Sequence, residues 1–391
     1  MKIKNETIYE KDISTETSLI NQKIEIASNK KSFSFEHTQI AKGVACLMLL
    51  YHHLLRPGNI SNKDFKNELI IFGFDLRKYI SIFFKITTCS YSFLSGLGLF
   101  YSLIKLKDIK AMYKKCFKNF FRLMIIFWVI LLFVFPKGLQ TGLFNLNYTT
   151  IISCIFADYY RKGNWWYVRM HFALLILSPL FITLFKNTNY KNKIIPIMIF
   201  YFFYSLIKII KISVRYKGLV NIFFDYFSYL TYIDYILSFL SGILSAKYNI
   251  MSFYSNNNYE NFYYCIFSIF SSIFIRINLI SNEADTKIDF FIVPLFILPL
   301  TSLISKNKKI SKFFSLFGKH STNFWFIHGY FYDNFYLELL SLPKYSTLCY
   351  IWLVILSLSS SYLINIALVP IINFINLKGF NYKGYFHFIK Q

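Results

Sequence analysis

The chain has 391 residues and a net charge of +24, yet only 16% of its residues are charged while 55% are hydrophobic and 21% aromatic. With a mean hydropathy of +0.42, so few charges among so many large apolar side chains exclude an ordinary soluble domain and point to a polytopic membrane protein. The basic residues are spread over short loops rather than gathered in one domain, which argues against a nucleic-acid partner and for loop charge that sets topology and attracts anionic membrane lipid.

Residues 1–37 are polar, mixed in charge and without the short apolar run of a cleaved signal peptide, so they are expected to form a flexible cytosolic tail. Beyond them, stretches of about 20 mostly apolar residues, the length that crosses the hydrocarbon, recur at 42–58, 80–104, 119–136, 165–185, 194–212, 226–246, 262–280, 288–305, 321–340 and 346–373. The segment "NYTTIISCIFADYY" (147–160) is too short and interrupted to span, and reads as interfacial or re-entrant. With the N-terminus inside, the inner loops carry 24 Lys and Arg against 11 in the outer ones, which places both termini in the cytosol. The expected fold class is therefore all-α: a polytopic bundle of about ten transmembrane helices over 38–375, followed by a cytosolic tail, 376–391. The longest outer loop, 137–164, has 28 residues, so any chemistry must occur within or between helices. None of the six cysteines forms a CxxC, and neither a disulfide nor a metal site is expected.

The first predicted helix, "AKGVACLMLLYHHLLRPG" (41–58), carries Lys42 near its start and His52-His53 near its end. Lys42 and His53 are eleven residues apart, about 16.5 Å of rise and about 20° from alignment, so they share one helix face. Ionisable groups in a membrane span are costly and mark function by default. The bland reading is a snorkelling lysine and a hydrogen-bonded structural histidine, and the residues alone leave both open. His52 points about 100° away and reads as structural or orienting.

"IAKGVACLMLLYHH" (40–53) resembles the first-helix signature of the acyltransferase 3 family, a basic residue followed eleven positions later by histidine. Lys42 stands where the family usually has arginine. "FLSGLGLFYS" (93–102), "GNWWYVRMHFALLILSPL" (163–180), "YILSFLSGILSAKY" (235–248) and "GKHSTNFWFIHGYF" (318–331) are similar, in the same order, to further segments of that family. One departure lies in "KKCFKNFFRLMII" (114–126): Arg122 matches the second of two family arginines, but Asn119 occupies the first, leaving Lys118 or Lys115 to substitute. Lys115, Lys118 and Arg122, at i, i+3 and i+7, would share a face.

The resemblance implies a plasma-membrane O-acyltransferase. It would use acetyl-CoA or another acyl-CoA as co-substrate, with no tightly bound cofactor, to modify a hydroxyl of a cell-surface or exported glycan or a lipid-linked saccharide. Its polyanionic head would meet Lys42, Lys115, Lys118 and Arg122, and its arm would run along the first helix toward His53. There His53 would act as general base or as a transient acyl carrier, the former being favoured. On the acceptor side stand His328, for which packing is the bland alternative, Trp166, which an aromatic belt would equally explain, and Arg169 with His171, which could pair with Asp158 or with glycan hydroxyls. Lys85, Asp234, Arg276 and Asp333 read as charge pairs, and Ser95, Gly96 and Gly98 as sites of close helix packing. A transporter or flippase of a lipid-linked glycan is the competing reading; it expects inverted repeats and broken helices, which the sequence does not display. A glycan polymerase or ligase would need a larger outer loop.

Overall fold

The computed structural model describes residues 33–56, 69–71, 73–142, 144–155, 166–187, 233–255, 259–279, 288–332 and 336–374. The expected span 194–212, the start of 226–246, and the positions of Asp158 and Asp333 lie outside the described residues, as do 1–32 and 375–391.

The regular secondary structure of the described residues is helical apart from one short antiparallel strand pair, β1 (Ile70–Ile71) and β2 (Phe74–Asp75). The long helices are α1 (Phe35–Leu55), α3 (Thr87–Leu103), α4 (Ile109–Gln140), α6 (Trp166–Asn187), α7 (Ile233–Lys247), α9 (Tyr259–Leu279), α10 (Asp289–Ser305), α11 (Lys308–Tyr332) and α13 (Ser346–Phe374). Short helices α2 (Leu76–Phe84), α5 (Tyr148–Ile155), α8 (Met251–Tyr254) and α12 (Leu337–Ser341) fill the connections. By length and composition five helical stretches can cross a membrane: Leu76–Leu103, in which α2 continues into α3 through the αR residues Lys85 and Ile86, Ile109–Gln140, Tyr167–Lys186, Tyr259–Leu279 and Ser346–Ile371. Their outward faces are greasy; Leu132 is 71% and Phe267 73% exposed, as lipid contact requires.

Helix starts follow local chemistry. Ser34 caps α1 reciprocally: the His37 amide donates to its hydroxyl at 3.2 Å, and the Ser34 amide donates to His37 Nδ1 at 3.0 Å. Asp108 caps α4 by accepting from the Ala111 amide. The predicted ninth helix begins thirteen residues earlier than its apolar run, at Lys308 instead of 321, because "KKISKFFSLFGK" forms a helical turn structure ahead of the apolar part. The predicted second helix, 80–104, is in fact two, α2 and α3, broken at Lys85–Ile86, where the Thr87 hydroxyl takes up the Phe84 carbonyl.

Helix α1 is the axis of the bundle, with Ile40, Leu50 and Leu54 fully buried. It runs parallel to α11 and antiparallel to α3. Two crossings depend on glycine. A Cβ at Gly43 would meet the Phe314 carbonyl of α11, and one at Gly318 would meet the Gln39 carbonyl of α1; Gly96 of α3 and Gly242 of α7 abut Phe239 and Phe93 in the same way. Gly98, expected to join them, faces open space. Antiparallel returns are marked by Cys116–Ser178 between α4 and α6 (3.3 Å) and by His320–Ser361 between α11 and α13 (2.8 Å).

Candidate active site

Lys42 rises from α1 between the buried Ala41 and Gly43 into a cavity of about 130 Å³. Its other walls come from α3 (Tyr91, Ser95), α6 (Tyr167, His171) and α11 (Ser321, Trp325). Tyr167 and His171, one turn apart, stack with ring centres 6.0 Å apart and planes 19° from parallel. His171 Nδ1 has no hydrogen-bond partner among the described residues, and the ring lies within electrostatic range of Lys42. Arg122, on α4, lies within the same range of Lys42.

The three donor-side candidates are thus separated. Arg122 stands beside Leu123, which lines the Lys42 cavity. Lys115 donates from Nζ to the Ser102 carbonyl at the end of α3, 3.0 Å away, and Lys118 is exposed beside the exposed Asn119. The helix phase explains this: the buried Cys116 turns toward α6 and leaves Lys118 on the outward side of α4.

Trp325 divides the Lys42 cavity from the histidines. Its ring centre is 5.2 Å from Tyr91 and 4.6 Å from Tyr167 on one side, and 6.4 Å from His328 on the other. Beyond it, His328 and His53 meet at 5.1 Å, and His53 stacks on Tyr332 at 5.8 Å with planes 9° apart. His328 Nδ1 lies 2.8 Å from the Phe324 carbonyl. A carbonyl only accepts, so Nδ1 carries the proton and Nε2 of the neutral ring holds the lone pair. That Nε2 is buried and has no hydrogen-bond partner among the described residues. His52 is tied down differently: its Nδ1 donates to the Ser81 carbonyl at 2.9 Å, and its ring meets His53 edge-on at 5.3 Å.

Arg169 is half-buried on α6. Trp166 opens that helix, but its side chain lies outside the described residues, as does that of Asp234. Arg276 pairs with Asp289 at 3.2 Å, both fully buried. Among the described residues no three His, Cys, Asp or Glu gather as metal ligands. The sequence reading missed Tyr91, Tyr167 and Trp325 as cavity walls and placed His171, with Arg169, on the acceptor side. The i, i+4 spacing of Tyr167 and His171 was the available signal that they share an inward face.

The arrangement defines a helical membrane protein with a cation-bearing cavity partway along its central helix and paired imidazoles near that helix's C-terminal end. Residues 39–369 match the model of an acyltransferase domain, and the chain belongs to the acyltransferase 3 family. No curated protein and no solved structure matches it. The protein is a membrane acyltransferase in general terms.

Proposed function

We propose that the protein transfers an acyl group, acetyl in the simplest case, from cytosolic acyl-CoA to a hydroxyl of a cell-surface or exported glycan at the plasma membrane, with His53 as general base. One observation carries this reading. Lys42, with Arg122 in range, and His53, paired with His328, lie on one face of one buried helix, about 16.5 Å apart along its axis, which is of the order of a coenzyme A arm. The anionic nucleotide head would meet Lys42 and Arg122 at the cavity, with Lys115 and Lys118 at its mouth. The thioester would then arrive at His53.

In that geometry His53 takes the proton of the acceptor hydroxyl as its oxygen attacks the thioester carbonyl. The C–S bond breaks, the thiolate leaves and accepts the proton back from the imidazolium, and the acceptor keeps the acyl ester. The Tyr332 ring, parallel to His53, would hold the imidazole plane during the transfer. The His328 lone pair would serve the acceptor. The glycan-transporter alternative requires paired broken helices; the break at Lys85–Ile86 is single among the described residues, and family membership favours acyl transfer.

The test is mass spectrometry of surface glycans from cells with and without the gene. An acyl mass increment present only with the gene is expected; identical glycans would overturn the reading.

A further inference from the structure

His328 of α11 holds a lone pair that no described residue engages. Its Nδ1 lies 2.8 Å from the Phe324 carbonyl, one turn back on the same helix, so Nδ1 donates and Nε2 keeps the lone pair. Nε2 is buried and has no hydrogen-bond partner among the described residues. A buried acceptor without a donor costs free energy, and in a native fold such a group calls for a reason. Packing alone supplies none, because an apolar side chain would fill the same space without stranding an acceptor.

His53 stands beside that lone pair. The two ring centres are 5.1 Å apart and the planes are inclined 55°. Rings at that separation can bring one nitrogen of each to about 3 Å, the length of a hydrogen bond. Tyr332 steadies the pair. It lies one turn after His328 on α11, 5.7 Å from it, and stacks on His53 at 5.8 Å with planes 9° apart. His53 thus rests against two rings of one helix face. His52 offers no donor to His328, since its Nδ1 gives its N–H to the Ser81 carbonyl, 2.9 Å away. A neutral His53 has one N–H. Once it takes the acceptor proton it is a cation with two, and a charged donor makes the stronger hydrogen bond. The unused lone pair of His328 is matched to that cation.

We propose that His328 is a positioning residue for His53: its Nε2 accepts an N–H of the imidazolium formed in the transfer, and so holds the ring and stabilises its charge. The proposal rests on the acyl-transfer reading and deepens it, because His328 then serves the acceptor through His53. No proton passes to His328. The acceptor O–H proton goes to His53, the acceptor oxygen bonds to the acyl carbon, the C–S bond breaks, and the thiolate receives the proton back.

The experiment uses the full chain in lipid nanodiscs with radiolabelled acetyl-CoA and methyl β-glucoside as the acceptor probe, and follows hydrolysis of acetyl-CoA, with water as the acceptor, alongside. His328→Met removes the lone pair at similar volume. It should lower kcat for both reactions about tenfold or more, the size of one hydrogen bond to a charged group, while the KM values for acetyl-CoA and the glucoside stay within about twofold. His328→Gln, whose amide can donate to the Phe324 carbonyl and offer an oxygen to His53, should recover most of that loss. The double variant separates this role from a structural one. If His328 acts through His53, adding His328→Met to His53→Gln slows the enzyme no further. Losses that multiply, or a raised glucoside KM at unchanged kcat, overturn the proposal. If neither the glucoside nor water takes acetyl, the acyl-transfer reading is at fault, and carbethoxylation by diethyl pyrocarbonate decides the pairing. Its rate at His53 is read by mass spectrometry in a His52→Gln background. Slower modification in His328→Met, restored in His328→Gln, upholds the pairing, and an equal or faster rate overturns it.

Discussion

Replacing the two adjacent histidines one at a time separates chemistry from packing. His53 faces His328 and Tyr332, at 5.1 and 5.8 Å, whereas His52 is pinned to the Ser81 carbonyl at 2.9 Å. A positioned general base contributes about 10²–10⁴-fold, or roughly 2.7–5.5 kcal/mol of barrier. His53→Gln should therefore lower acetyl transfer at least about a hundredfold while the protein inserts and unfolds as the wild type does. His52→Gln exchanges one buried hydrogen bond for a poorer one, about 0.5–1.5 kcal/mol of stability, and should keep most of its turnover. The assay is transfer of radiolabelled acetyl from acetyl-CoA in nanodiscs at matched protein amounts, with thermal unfolding measured in parallel. A His53→Gln enzyme within about threefold of wild type, which is less than 1 kcal/mol of barrier, would refute the assignment. So would a folded His52→Gln enzyme that is dead, since the donor would then run along another face of α1.

Arg122→Ala should raise the KM for acetyl-CoA about tenfold or more, the value of one charge-assisted phosphate contact, while Lys118→Ala, exposed on α4, should change it little; steady-state kinetics read both. Trp325→Ala should open the partition between the Lys42 cavity and His328 and allow longer acyl-CoA donors to be used, measured as the ratio of butyryl to acetyl transfer; an unchanged ratio would remove Trp325 from the donor path. Cysteines at positions 110 and 285 should label from opposite sides of the membrane, with 110 cytosolic, and labelling of both from outside would rule out the topology.

Much of the architecture was legible because it rests on composition. Apolar length placed α6, α9, α10 and α13 to within a few residues, whereas α1 starts seven and α4 ten residues ahead of their apolar runs; the eleven-residue offset puts Lys42 and His53 on one face of α1. What escaped depends on partners that sequence distance hides. The break at Lys85–Ile86 occurs inside a continuous apolar run and is closed by a hydroxyl on a carbonyl, which hydropathy cannot register. Tyr167 and His171 follow two tryptophans at the start of a helix, a pattern that reads as an interfacial belt; only the packing of α6 against α4, α3 and α7 turns them toward Lys42. The basic stripe on α4 dispersed because helical phase alone does not say which edge of a face meets a neighbour.

The least legible feature is also the one that joins packing to chemistry. Gly43 and Gly318 lie where α1 and α11 touch backbone to backbone, and no GxxxG motif announces either. His53 is ten residues beyond Gly43, and His328 is ten residues beyond Gly318. In two parallel helices, equal offsets from a shared contact carry both side chains about 15 Å along the axis to the same level, and the imidazoles do meet there at 5.1 Å. The glycine crossing thus fixes the register of α11 on α1 at the Lys42 end, and helical stiffness transmits that register to the histidine pair. Lys42 adjoins Gly43, and Trp325 follows Gly318 by seven residues, so the cavity and its partition are set by the same contact. Small residues at this crossing let two backbones approach closely enough to hold a cation, a partition and two imidazoles in fixed order along one seam.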